Sequence, residues 1–540
     1  MTTFVFLRGW PYNRGGNSQP ACASPAEECG TAPRKKVMAK PPYYLTAPVY
    51  DAAAPPSMES LYAWVFCDTI ARHKRLSGFD IAYLRTVDRH GFVGKESGGE
   101  RASAVSRNYV AFQQLSLIAN IDSTHSSLLP SENHIRAIDT LLRHTMRRSH
   151  SSIYKAKYEG RFCPRDEVDV SGSAQPADCP FCGRPAELVS EDRYFFRLSA
   201  FRARLGAVYK YRPEFIQPAS LRPKIETLMQ ENLRDVPIGR KTGSPTIPWP
   251  DDVDYSVCGW YAELASYLSG IGFAKDGDED FQKFWPAKLH VVSKRAMQAH
   301  TMYWPAFLMA ADLPIPRHVF THGTIRLRDD ASGVIPVKDL RLGLLEGDAL
   351  RYSLLRALPY DGDGEFDLDG IGTQSTEDLT NKLGTLADRV LTLVARDCDG
   401  KIPVPSAIFD HDQRIELAWF DLRAQIRLLF DQHAFREGLD KIWELWTIID
   451  RALKETIPGE VGDDRSRLTR QKNVLHDACQ GLGWLALLLH PVIPKMTDAI
   501  WKSLGQITSL QHALLDATPW TCFTPGSPIA PLQGSFGGRK

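Results

Sequence analysis

The sequence has no apolar run near the roughly 18 residues that a membrane-spanning helix requires. The longest candidate, "WLALLLHPVIP" at Trp484–Pro494, contains His490 and Pro491 and reads as the end of a buried helix. Charge of one sign is also lacking: 65 Lys and Arg face 64 Asp and Glu, a formal net charge of +1. No global field therefore advertises a polyanion partner, and any nucleic-acid surface has to be a local patch. Ten cysteines among 540 residues are too sparse for a disulfide scaffold. The first 40 residues have no apolar segment of the secretory type, Glu27 and Glu28 oppose a transit peptide, and the stretch reads as a disordered tail. No repeat or low-complexity tract stands out. What is present is an ordinary globular composition, 43% hydrophobic and 24% charged, so a soluble, cytoplasmic protein of two to four domains is expected.

A local absence is more informative. "PYYLTAPVYDAA" is a β-rich run, and "AWVFCDTIARHKRLSGFD" is an amphipathic helix ending near Gly78. Between them, "APPSMESLY" (Ala54–Tyr62) is a strand-to-helix turn, where α/β proteins place nucleotide chemistry. It offers no Gly-rich cradle, no His and no Lys.

Short β-type runs alternate with helical patterns over 41–152 and again over 246–335, the signature of a parallel sheet. Between them, residues 153–245 change character. Cys163, Cys179 and Cys182 fall within twenty residues of one another, followed by "EDRYFFRLSAFRARLGAVY" and an Arg/Lys/Pro-rich stretch. The sheet domain is thus expected to be split by an insertion. From 376 to 520 the pattern is helical: Phe435, Leu439, Ile442, Trp446, Ile449 and Leu453 recur at steps of three and four. Residues 521–540 read as a C-terminal tail.

In this order the segments resemble methionyl-tRNA synthetases, class I enzymes, over about residues 41–510. "YYLTAPVY" is similar to the family's first strand, and "IARHKRLSGFDIAYLRTVDRHG" to its helix and second strand ending in a TDEHG-type turn. "CPFCGRPAELVSEDRYFFRLSAF" is similar to its zinc-bearing connective insert, and "HTMYWPAFLMAADLPIPRHVFTHG" to the segment before its second signature. "EGDALRYSLLRALPYDGDGEFD" resembles the entry to its anticodon-binding bundle. The resemblance implies a Rossmann-type parallel-sheet catalytic domain, a zinc-knuckle-like connective insert, a stem-contact region at 336–375 and an all-α anticodon-binding-type bundle.

The same resemblance locates two losses. The family's HIGH motif falls on Ser57, Met58, Glu59 and Ser60, and its KMSKS motif on Ala331, Ser332, Gly333, Val334 and Ile335. In the family these motifs bind ATP, imidazoles and lysines meeting the phosphate charge. Removing one preorganised group of this kind costs roughly 3–4 kcal/mol of transition-state stabilisation. Two His and two Lys positions together amount to on the order of 10 kcal/mol, without strict additivity. Glu59 would also repel a triphosphate. A degenerate paralogue that does not use ATP conventionally is therefore expected.

The amino-acid pocket is implied at Asp88, Trp260, Tyr267 and His300, with Asp51 replacing a pocket Tyr and making the pocket fit for a cationic or hydroxylated group. Trp260 and Tyr267, seven apart on a helix, equally fit a plain core. For the implied structural zinc, Cys179 and Cys182 form one knuckle, while Cys163 is followed by Asp166 where a fourth thiolate is expected. Either a metal site or a collapsed pair of buried thiols fits this pattern. On the implied tRNA-reading helix Asn381 and Arg389 remain, whereas Thr385 and Gly459 replace an Asn and a stacking Trp.

Three functions follow. The first is a paralogue that binds tRNA, aminoacyl-tRNA or an amino-acid-like small molecule, in a specialised biosynthetic or regulatory role. The second is an enzyme with altered aminoacyl transfer or amide ligation, using Asp51, Glu59, Asp88 and Arg295. The third is a methionine–tRNA ligase with divergent motifs.

Overall fold

The β-rich run that opens the organised part of the chain becomes β1 (Pro42–Asp51), followed by α1 (Met58–Leu76), β2 (Asp80–Asp88), α2 (Gly99–Ile118), β3 (His125–Leu129) and α3 (Glu132–Arg148). The computed structural model describes residues 40–89, 99–163, 168–170, 178–179, 183–242, 246–328, 346–366, 373, 375–406, 413–456 and 465–532. The expected tail before residue 40 lies outside them.

After α3 the chain leaves the first sheet to build an antiparallel insert. Its strands are β4 (Ile153–Cys163), β5 (Val168–Asp169) and β6 (Glu187–Phe196); β7 (Ile216–Gln217) then departs from it, and β8 (Val236–Lys241), β9 (Pro248–Trp249) and β10 (Asp252–Val257) complete it. The insert sheet thus runs past residue 245, and β7, inside the expected insert, pairs with the other sheet. Return to the first sheet comes through the helix Gly259–Ser269, then β11 (Leu289–Ser293) and β12 (His318–His322). Its order is β3-β2-β1-β11-β12-β7, and every pairing is parallel. This is the α/β architecture expected from the alternating pattern.

The two faces of the sheet feed two cores. Leu45, Tyr83, Val291 and Phe320 face α1 and join a cluster continuous with the helical half, while Tyr44, Ala82, Leu84 and Val319 pack with Ile138, Leu141 and Leu268. Each such large side chain contributes about 1.5–3 kcal/mol when fully buried. Charges also tie the halves together: Arg351, fully buried, pairs with Asp68 of α1 at 2.7 Å and donates to the Val492 and Pro491 carbonyls at 2.8 Å.

The helical half comprises Thr376–Gly384 running into Thr385–Asp397, then Arg414–Asp431, Phe435–Thr456, Arg465–Leu489 and Pro494–Ser503. The run "WLALLLHPVIP" is the buried end of the 465–489 helix, which stops before Pro491. Among the described residues no helix is long and apolar enough to cross a membrane.

The expected C-terminal tail needs correction over 521–532. Phe523 is 1% exposed, and its backbone N–H and C=O both bond the Gln480 side chain at 2.9 Å. A Cβ on Gly483 would stand 2.0 Å from the Phe523 ring, so the helix has glycine where the segment crosses it.

Candidate functional site

The C-terminal ends of β1, β2, β11 and β12 lie side by side, the edge at which open α/β sheets hold ligands. One side of this edge is built from helix 259–269 and the segment Ala299–Tyr303. Tyr267 and His300 meet there: the tyrosine hydroxyl and His300 Nε2 are 2.8 Å apart, and both residues are buried. His300 Nδ1 lies 2.8 Å from the Ala296 carbonyl, which can only accept, so Nδ1 carries the proton and Nε2 receives the Tyr267 hydroxyl. Burial lowers the His300 pKa to about 4, keeping the imidazole neutral.

Two further residues extend this network. His290 of β11 stands fully buried under the Tyr267 ring, centroids 4.5 Å apart. Its Nε2 accepts from Trp304 Nε1–H at 3.3 Å, so its Nδ1–H donates to Thr46 Oγ1 at 2.6 Å. Neither His290 nor Thr46 was among the expected site residues. The available signal was an imidazole inside the apolar strand "LHVV", where a buried polar group needs partners. Trp260 is half-buried beside Tyr303 and Phe307, at 5.6 and 5.8 Å between rings. It borders this network through aromatic packing.

The two aspartates separate. Asp51 and Asp88 are register partners on β1 and β2, yet Asp88 is buried and Asp51 exposed. The Asp51 carboxylate accepts from the Ala53 N–H at 2.8 Å, an Asx turn that directs the chain away from the strand.

On the other side, the turn at 57–60 is closed upon itself. Ser57 is the N-cap of α1: its Oγ accepts from the Ser60 N–H at 3.3 Å, and Ser60 Oγ is 2.9 Å from the Ser57 N–H. This reciprocal capping box satisfies two donors that helix starts otherwise present to an anion. Met58 and Ser60 are buried and Glu59 is half-buried in the first turn, where the helix dipole favours a carboxylate. Burial, aided by the Glu59 charge, raises the Tyr50 pKa; at His322 burial lowers the pKa and the Glu59 charge opposes it. Lys294, which follows β11, pairs with Asp363 at 2.7 Å. The stretch 331–335 lies outside the described residues.

In the insert, Cys163 and Cys179 are buried in one small cluster with Val170 and Ala186. Gly183 N–H donates to the Cys179 carbonyl at 2.9 Å, and Gly183 has φ +67°, a left-handed conformation that glycine adopts freely. Asp166 and Cys182 lie outside the described residues; among those described, no group of three or more His, Cys, Asp or Glu side chains is arranged to hold a metal.

On the helical half, Asn381, Thr385 and Arg389 are four apart. Asn381 and Thr385 are exposed, Asn381 bonding Glu377 at 3.0 Å, while Arg389 is half-buried and pairs with Asp450 at 3.5 Å. Gly459 lies outside the described residues.

Comparison with known proteins agrees with this layout. The family model described as tRNA synthetases class I (M) matches residues 43–186 and 173–391. The methionine–tRNA ligase of Mycobacterium bovis is 31% identical over 511 residues, 92% of this chain and 97% of its own length. That of Caldanaerobacter subterraneus subsp. tengcongensis is 30% identical over 478 residues, 86% of this chain and 74% of that one. The crystal structure of Mycobacterium tuberculosis methionyl-tRNA synthetase bound by methionyl-adenylate superposes with a TM-score of 0.83 at 30% identity, covering 92% of this chain and all of the other.

Proposed function

The chain belongs to the class I methionyl-tRNA synthetase family, and from that premise we propose that it is a paralogue that binds an amino-acid-like ligand and tRNA or aminoacyl-tRNA without making an aminoacyl-adenylate by the usual route. The observation that carries this reading is the self-closed start of α1. At the positions of the family's first ATP signature, Ser57 and Ser60 bond each other, and Glu59 adds a negative charge where a triphosphate would approach. The replacement of every lysine at 331–335 points the same way. Retention of a ligand pocket is supported by Tyr267, His300 and Asp88 at the sheet edge. A methionine-dependent ATP–pyrophosphate exchange assay tests this reading: no exchange above the protein-free rate is expected, and exchange would establish a ligase with divergent motifs.

The tRNA part rests on family membership and on the face shared by Asn381, Thr385 and Arg389. A gel shift with tRNA and with aminoacyl-tRNA at 50 and 200 mM salt should show a complex that weakens with salt; no shift at micromolar protein would refute it. For the insert we propose structural zinc, with Cys163, Cys179 and Cys182 supplying thiolates and Asp166 the fourth ligand. The shared burial of two of these thiols and the Gly183 N–H bond to the Cys179 carbonyl favour it. Elemental analysis should find one zinc per chain. Altered aminoacyl transfer is the second reading, favoured by the closeness of Glu59 to the neutral His322.

A further inference from the structure

A cavity of about 280 Å³ opens where the end of α3 meets the turn after the helix Trp304–Ala310. α3 returns from the C-terminal end of β3, and that turn leads towards the start of β12. The cavity is therefore at the end of the sheet opposite the candidate site. It is lined by His144, Arg147 and Arg148 on one side and by Ala311, Asp312 and Leu313 on the other. Ile138, Leu141 and Leu142 of α3 share a core with Phe307 and Leu308, so packed helices hold both walls in place.

The cations at this helix end are used unequally. Arg143, one turn earlier, is committed: Nη1 and Nη2 donate to Asp251 at 2.7 and 2.9 Å, and Nε donates to Asp139 at 2.8 Å. Among the described residues Arg147 has no such acceptor. Arg148 has only Asp312, at 3.7 Å, beyond hydrogen-bond reach, and both side chains are largely exposed. Two guanidiniums and an imidazole thus border one space against a single carboxylate. Helix carbonyls attract cations to a last turn, which explains basic residues there. It does not explain a concavity walled by them.

Guanidiniums meet the oxygens of phosphates and carboxylates in pairs. A terminal phosphate has three free oxygens for the three donor groups here, whereas a carboxylate has two. Its charge of about −1.5 to −2 also exceeds that of a carboxylate. The volume approaches the roughly 300 Å³ at which small-molecule sites begin, and Ala311 and Leu313 give it an apolar wall. We propose that this cavity binds a phosphate group, either the free ion or the end of a small organic phosphate. The proposal does not depend on whether the chain uses ATP or binds tRNA.

Calorimetric titration of the full chain at neutral pH with ribose 5-phosphate, inorganic phosphate and ribose tests it. Saturable binding of ribose 5-phosphate, absent with ribose, is expected. Replacing both exposed arginines, Arg147→Gln with Arg148→Gln, should weaken that binding at least tenfold in a protein of unchanged circular dichroism. Asp312→Asn removes the competing carboxylate and should tighten it about threefold. Inorganic phosphate bound as tightly as ribose 5-phosphate would identify the free ion; weaker binding would identify the organic phosphate. Four results would each overturn the proposal: neither phosphate binding at millimolar concentration, ribose binding equally well, binding unchanged in the folded double variant, or binding not strengthened by Asp312→Asn. Displacement of ribose 5-phosphate by equimolar tRNA would also overturn it, assigning the cavity to an RNA backbone.

Discussion

The two sides of the sheet edge handle buried polar groups differently. Around Tyr267, each imidazole nitrogen has a partner: His300 bonds Tyr267 and Ala296, and His290 bonds Thr46 and Trp304. Around the start of α1, the serines are spent on each other, while His322 Nε2, both nitrogens of His433 and one oxygen of Glu437 go unpartnered among the described residues. Buried polar groups are rarely left this way without a ligand or water to meet them. One side is therefore a finished framework, and the other leaves buried polar atoms without partners among the described residues. A fold can hold its shape through the first while the second is altered.

Breaking the framework should have the largest effect. His290→Ala removes two hydrogen bonds and leaves a ring-sized void, so unfolding in urea should show a loss of about 3–4 kcal/mol. A loss below 1 kcal/mol would mean that the network does not hold the sheet edge. Acid should abolish the contrast, since His300 and His433 are both held neutral by burial. Their folded pKa values lie below the unfolded value of about 6.5, so the unfolded chain binds more protons between the two and stability is lost as pH falls below 6.5. With His300 at about 4, that residue alone accounts for about 3 kcal/mol between pH 6.5 and pH 4, read from urea midpoints across that range. Midpoints flat from pH 7 to pH 4 would contradict this.

The cap is a smaller target. Ser57→Ala opens the capping box and should cost about 1 kcal/mol. Restoring imidazoles with Ser57→His and Ser60→His should cost a similar amount and bring no methionine-dependent exchange while Glu59 remains. The smallest change is expected of Thr321→Val beside His322. Among the described residues the buried Thr321 hydroxyl has no partner, so its removal should shift stability by no more than about 0.5 kcal/mol in either direction. A loss above 1 kcal/mol would reveal a partner for that hydroxyl.

Much of the fold was legible because it rests on periodicity. The return of β–α alternation after residue 245 announced a split parallel sheet, and the step of three and four in 435–453 announced a packed helix. What escaped depended on distant partners. The two-residue strand β7 is too short to carry a pattern, yet it edges the parallel sheet. Residues 521–532 look like a polar tail until Phe523 finds the groove at Gly483. Tyr267 and His300, which the resemblance singles out, are joined by a hydrogen bond, whereas His290 and Thr46, 244 positions apart, have meaning only as a pair. Asp51 is set by local chemistry instead: its carboxylate accepts from the Ala53 N–H, two residues on, and is exposed.

The central claim is that the start of α1 and the stretch at 331–335 no longer support adenylate formation. Methionine-dependent exchange of labelled pyrophosphate into ATP, measured with the full chain at saturating ATP, tests it most directly. The account predicts a rate indistinguishable from the protein-free background. A rate that rises with methionine and falls in a folded Tyr267→Phe protein would contradict it.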